Sequence, residues 1–137
     1  DDVESRGLGD VYKRQALYTT PASYLEEVNK EYKKRRDTIV AALKKLPGVK
    51  ASDPKGAFYI MVNMPVDDAE KFAIWTLENF AIDGETVMFA PGNGFYNTPG
   101  SGINEARLAY VLKSEDLERA IYILGEALKA YPGRVEK

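Results

Sequence analysis

The chain of 137 residues contains no cysteine and no histidine. That absence removes disulfide frameworks, thiol catalysis and Cys/His zinc sites together. It also removes any Ser-His-Asp arrangement, so acid–base work would fall to carboxylates, lysine or tyrosine. No stretch approaches the roughly 20 apolar residues of a membrane span, and no apolar signal-peptide core stands near the start. An excess of positive charge is missing too. Nineteen Lys and Arg against 21 Asp and Glu leave a net charge of −2, which argues against a nucleic-acid partner. Nothing here asks for a metal, and zero cysteines fits a cytoplasmic location.

What is present is a globular mixture, 45% hydrophobic and 29% charged, of a length that suits one domain. Asp1 to Gln15 (DDVESRGLGDVYKRQ) lacks a clear apolar period. Its stretch SRGLGDVYKRQ resembles translated adaptor leaders, so residues 1–15 are expected to be a non-native lead-in and are set aside from fold reasoning. The alternative is a natural disordered or helical lead-in.

From there the periodicity predicts helices and strands in alternation. Ser23, with Glu26 three positions on, has the form of a capping box. Leu25, Val28, Tyr32, Ile39, Leu43 and Leu46 then follow helical spacing up to the Pro47-Gly48 stop. The basic run Lys33 to Arg36 lies within this helix and reads as a solvated face. Val49 to Lys55 reads as a connection. Gly56 to Met64 (GAFYIMVNM) predicts a strand buried on both faces or largely so, with Phe58 and Tyr59 in the core. Asp67 to Asn79 predicts a second helix, capped by Asp67 with Glu70, whose Phe72 and Trp75 are core or interface aromatics. Asp83-Gly84 turns the chain, Thr86 to Ala90 predicts a short strand, and Pro91 to Gly102 a loop rich in Gly, Pro and Asn. Glu105 to Leu112 predicts a strand with Arg107, Ala109 and Val111 on one side and Leu108, Tyr110 and Leu112 on the other. Ser114 caps a final helix that Pro132-Gly133 ends. The expected fold is α/β, a small sheet of about three strands covered by helices in the order α-β-α-β-β-α.

Arg107 is the residue most suggestive of chemistry. A guanidinium in an otherwise apolar strand is costly to bury unless an anion meets it, and its planar fork matches a carboxylate through two parallel hydrogen bonds. Two plainer roles stand beside this one: a structural arginine paired with one of the chain's own acids, or an edge-strand arginine reaching solvent. The loop Pro91 to Tyr96 does not match a phosphate-binding loop, because no Gly-Lys-Ser/Thr follows.

Several segments, in order, resemble the C-terminal small domain of class I (fold-type I) pyridoxal-phosphate-dependent aminotransferases. They are Tyr32 to Asp37 on the long helix, Pro54-Lys55-Gly56-Ala57-Phe58-Tyr59, Gly84 to Gly92 with Phe95-Tyr96, and Ala106-Arg107-Leu108-Ala109-Tyr110. The resemblance covers residues 16–134, leaving 135–137 as a tail, and Phe89 to Leu112 is similar to bacterial aspartate aminotransferases in particular. It implies transfer of an amino group between an amino acid, aspartate or a similar one, and a 2-oxo acid. In that family an arginine on the strand after the flexible loop binds the substrate α-carboxylate, and Arg107 matches it. The cofactor, pyridoxal 5′-phosphate, is held by a lysine in a Ser-x-x-Lys type context on a large domain. No suitable segment occurs here; Ser52 and Lys55 have the spacing but flank a turn. The resemblance therefore implies a fragment without catalytic or cofactor-binding residues of its own, inactive alone, from an enzyme that forms homodimers. The alternative is a non-catalytic α/β module that binds a small carboxylate or mediates subunit contact. A fragment should leave apolar surface open on the first helix and around the Arg107 end of the sheet, and a self-contained module should bury both.

Overall fold

The computed structural model describes the backbone of residues 2–135 and the side chains of residues 9–135. It divides into two compact units, Asp1–Glu31 and Tyr32–Lys137. The first unit holds helix α1 (Asp2–Thr19) and the opening turns of helix α2 (Ala22–Leu43). The stretch read as aperiodic is thus helical through residue 15 and beyond. Near the end of α1, the hydroxyls of Thr19 and Thr20 both donate to the Ala16 carbonyl at 3.0 Å. Helix α2 starts one residue before the expected cap. Pro21, whose carbonyl accepts from Tyr24 N–H, has a backbone angle already suited to a helix start.

The second unit contains the rest of α2, helix α3 (Ala69–Asn79), helix α4 (Ser114–Ala130) and a four-stranded sheet. The strands are β1 (Lys50–Ala51), β2 (Tyr59–Asn63), β3 (Ala90–Pro91) and β4 (Glu105–Ala109), in the spatial order β1-β2-β4-β3. All three pairings are antiparallel. The sheet therefore has four strands rather than about three, because the segment read as a connection supplies the two-residue edge strand β1. Thr86 to Phe89 is not part of a strand, and only Ala90 and Pro91 pair with β4. Helix α2 stops at Leu43 instead of Leu46; the next turn tightens, with Leu46 N–H donating to the Leu43 carbonyl, and Gly48 takes a left-handed φ of 76°.

Two caps differ from expectation. Asp68, not Asp67, caps α3, its carboxylate accepting from the N–H of Glu70 at 2.8 Å and of Lys71 at 3.2 Å. Asp67 instead accepts the Tyr131 hydroxyl at 2.9 Å. Ser114 is already inside α4, with Lys113 at the cap position, and its hydroxyl is buried without a partner.

The core lies on one side of the sheet. Ile60 and Val62 of β2 and Ala106 and Leu108 of β4 are buried, and so are Ile39 and Leu43 of α2, Phe72 of α3 and Leu117, Ile121, Leu124 and Leu128 of α4. Phe72 is its aromatic centre, with ring centroids 4.9 Å from Tyr131, 5.4 Å from Phe89 and 6.4 Å from Trp75. Burying a side chain of that size contributes about 1.5–3 kcal/mol. The other side of the sheet is open. Tyr59, Arg107 and Ala109 are exposed there, and Met61, Asn63 and Glu105 are half-buried. Strand β2 is thus buried on one face only, and Phe58 and Tyr59 lie outside the core, contrary to the reading of the apolar run.

Candidate functional site

Arg107 sits in the middle of β4, an interior strand. Its backbone is opposite Met61 of β2 on one side and Ala90 of β3 on the other. The period-two alternation of β4 buries Ala106 and Leu108 against the helices and turns Arg107 outward. Among the described residues no carboxylate pairs with it, whereas Arg119 pairs with both Asp83 and Glu85, and Arg36 with Asp37. The guanidinium is met instead by two aromatic rings. Its carbon lies 4.5 Å from the centroid of Phe95 and 5.4 Å from that of Tyr59, within cation–π range. Neither plainer role for Arg107 describes this position, which is neither ion-paired nor on an edge strand.

The loop before β4 is built to stay close to it. Gly92 to Phe95 form a short 3-10 helix. A Cβ on Gly92 would stand 2.7 Å from the Cβ and 2.9 Å from the carbonyl oxygen of Glu105, so only glycine allows this approach. Gly102, at φ 69°, faces the Tyr96 ring, which a Cβ would meet at 2.5 Å. The Tyr96 hydroxyl donates to Glu105 Oε2, and that bond raises the phenol's pKa above its ordinary value. Asn93 donates to Glu70 of α3 at 3.2 Å, tying the turn to the helix layer.

Tyr59 is fixed from the opposite side. Ala57, just before β2, has a left-handed φ of 62°, uncommon for a residue with a Cβ. The Tyr110 hydroxyl donates to the Ala57 carbonyl at 2.6 Å, and the Tyr110 N–H to the Phe58 carbonyl at 2.9 Å. Burial raises the Tyr110 phenol's pKa, and the Arg36 charge opposes that shift. Sequence reasoning placed Tyr59 in the core and left Phe95 in a loop. The register that sets both beside Arg107 depends on which strands pair, which no single segment discloses.

Apolar side chains remain uncovered around this face. Phe58, Tyr59 and Phe95 are 56%, 38% and 50% exposed. In the first unit, Leu17, Tyr18, Tyr24 and Leu25 are exposed as well. Arg107 lines neither of two surface hollows, one of about 660 Å³ around Pro65, Asn104 and Arg134 and one of about 280 Å³ around Val40 and Ser52. Among the described residues no cluster of acids could hold a metal ion, and no helix is long and apolar enough to cross a membrane.

The fold is thus a layer of helices over a small antiparallel sheet, with Arg107 on the open face after a glycine-rich loop. The chain belongs to the class I and II aminotransferase family, whose pattern matches residues 8–124. It is 36% identical over 107 residues to an aspartate aminotransferase of Pyrococcus horikoshii, covering 77% of this chain and 25% of that protein. It is 35% identical over 100 residues to an LL-diaminopimelate aminotransferase of Nitratidesulfovibrio vulgaris, covering 72% of this chain and 23% of that protein. Among solved structures it resembles the α-aminoadipate aminotransferase of Thermus thermophilus, crystallised with N-(5′-phosphopyridoxyl)-L-leucine. That match has a TM-score of 0.66 and 29% identity, and covers 80% of this chain and 27% of the other. The chain thus spans about a quarter of the length of the curated relatives it matches.

Pyridoxal phosphate, the cofactor of this family, requires a lysine sheltered in a cleft. Every lysine among the described residues is exposed, including Lys55 in the turn before β2. No lysine is enclosed by the described residues themselves, as one holding that cofactor would be.

Proposed function

We propose that this chain is the substrate-clamping small domain of an aminotransferase, and that Arg107 binds the α-carboxylate of an amino-acid or 2-oxo-acid substrate. In this reading residues 16–134 make up that domain. Pyridoxal phosphate is held by polypeptide outside this chain, the whole enzyme is a homodimer, and the chain alone does not transaminate. The observation that carries the reading is Arg107 itself: exposed on an interior strand, without a carboxylate partner among the described residues, and framed by Phe95 and Tyr59. The apolar residues left open around it favour a domain that packs against further polypeptide over a self-contained module. Arg107 fixes the substrate by its carboxylate, and so sets the direction of the bonds on the neighbouring carbon. Orientation of this kind can lower a barrier by as much as about 7–11 kcal/mol. Aspartate or a similar acidic amino acid is the proposed substrate, in line with the relatives that carry that activity.

The test is a chimera. Residues 16–134 replace the matching segment of the Pyrococcus horikoshii aspartate aminotransferase, and kcat/KM for aspartate is compared with that of its Arg107→Leu variant. Two charge-assisted hydrogen bonds at about 1.5–3 kcal/mol each predict a loss of roughly 10²- to 10⁴-fold. The cofactor's absorption spectrum should be unchanged in both proteins, which checks that the chimera is assembled. Equal kcat/KM in two assembled proteins would end the clamp assignment.

A further inference from the structure

The open face of β2 and β4 carries one acidic residue, Glu105, two positions before Arg107 on the same strand and the same side. Residues spaced by two along a strand are about 7 Å apart, a gap that glutamate and arginine side chains bridge with ease. Left to themselves the two would pair, and the guanidinium would be occupied by its own chain. In the structure they do not. Glu105 is taken by the Tyr96 hydroxyl, and Arg107 lies against Phe95, the residue next to Tyr96.

We propose that Phe95-Tyr96 is a positioning device for Arg107. Tyr96 sequesters the one carboxylate on this face, and Phe95, with Tyr59, holds the guanidinium in cation–π contact while leaving it for a substrate carboxylate. The inference rests on the clamp reading above and adds residues to it. Three features converge on it. Gly92 brings the turn within contact distance of Glu105, Gly102 gives the Tyr96 ring its seat, and the hydroxyl closes the link. An exposed arginine otherwise keeps rotamer entropy that binding must remove. Contact with the two rings removes part of it beforehand, which is how preorganisation strengthens binding.

The experiment uses the full chain with arginine side chains labelled with ¹⁵N, and propionate as the probe. Propionate is titrated while the Arg107 Nε–Hε resonance is followed by NMR. In Tyr96→Phe, the freed Glu105 should compete for Arg107 and weaken propionate binding about two- to fivefold, the range that an exposed ion pair commands. The double variant Tyr96→Phe/Glu105→Gln should restore wild-type affinity. Glu105→Gln alone should raise affinity by no more than about twofold, the screened effect of removing a charge about 7 Å away, because Tyr96 already holds that carboxylate. Undiminished affinity in Tyr96→Phe overturns the proposal. So does a loss that the double variant fails to reverse, which would make Tyr96 a packing residue only. A several-fold gain in Glu105→Gln alone overturns it too, because Glu105 would then already compete in the native chain. The clamp reading fails in a different way: the wild-type Arg107 resonance would not respond to propionate at all, and the positioning proposal would fall with it.

Discussion

The two faces of the sheet are made by the same two five-residue strands, yet they are built on different terms. On the helix side, Ile60, Val62, Ala106 and Leu108 are buried against α2, α3 and α4, and ring contacts around Phe72 complete the packing. On the open side, Tyr59, Arg107 and Ala109 meet solvent, and what order exists comes from individual contacts: one phenol on one carboxylate, two rings on one guanidinium. The first face is held by area and so provides stability. The second is held by directed contacts and leaves an arginine available. Residues on the first should matter to folding, and residues on the second to binding.

The sharpest way to break that comparison is to remove material from the closed face. Phe72→Ala should destabilise the chain by about 3–5 kcal/mol in urea denaturation, because the neighbouring rings cannot collapse into the space. A cost below about 1 kcal/mol would mean that the helix side is not the stabilising one. A smaller effect concerns Tyr131 at the rim of that core. Burial first, and the hydrogen bond to Asp67 second, push its pKa from the ordinary 10 up to about 12. The neutral phenol is favoured in the folded state, so the contribution is complete below pH 10. It is lost as pH rises from about 10 to about 12, where the unfolded chain has already released its proton. The native chain should therefore lose up to about 2–3 kcal/mol more than Tyr131→Phe across that window, read from denaturation midpoints. The smallest effect belongs to the open face. Arg107→Leu should change the stability of this chain by no more than about 0.5 kcal/mol. A loss of about 2 kcal/mol or more, the size typical of a buried structural contact, would make Arg107 a structural residue and erase the division between the faces.

The closed face could be read in part from the sequence, the open one hardly at all, and the limits have physical causes. Helices α3 and α4 follow from apolar spacing, and the alternation of Arg107 with Leu108 in β4 appears as read. The class of fold and the family were visible in short ordered segments such as Ala106 to Tyr110. The edges were not. Strand β1 is two residues long, too short for any period to register, and β3 keeps only Ala90 of the strand expected from Thr86 to Ala90 and takes in Pro91 from the expected loop. Phe58 and Tyr59 read as core because β-rich apolar runs usually are. Their exposure depends on one sheet face being open, which is a property of the whole assembly. The shift of the α3 cap from Asp67 to Asp68 turns on Tyr131, 64 residues on, whose hydroxyl claims Asp67. The companions of Arg107 were hidden for the same reason: Phe95 and Tyr59 come from a turn and a neighbouring strand that only the register brings alongside it.

Because Met61 and Ala90 flank position 107 in the ladder, its main chain is committed to the sheet on both sides. Only the side chain projects from that anchorage. Lengthening or shortening the Thr98–Gly102 stretch would redraw the rim of the site without shifting its root. A fold arranged in this way can change what it accepts by editing loops, while the point of attachment stays where the sheet put it.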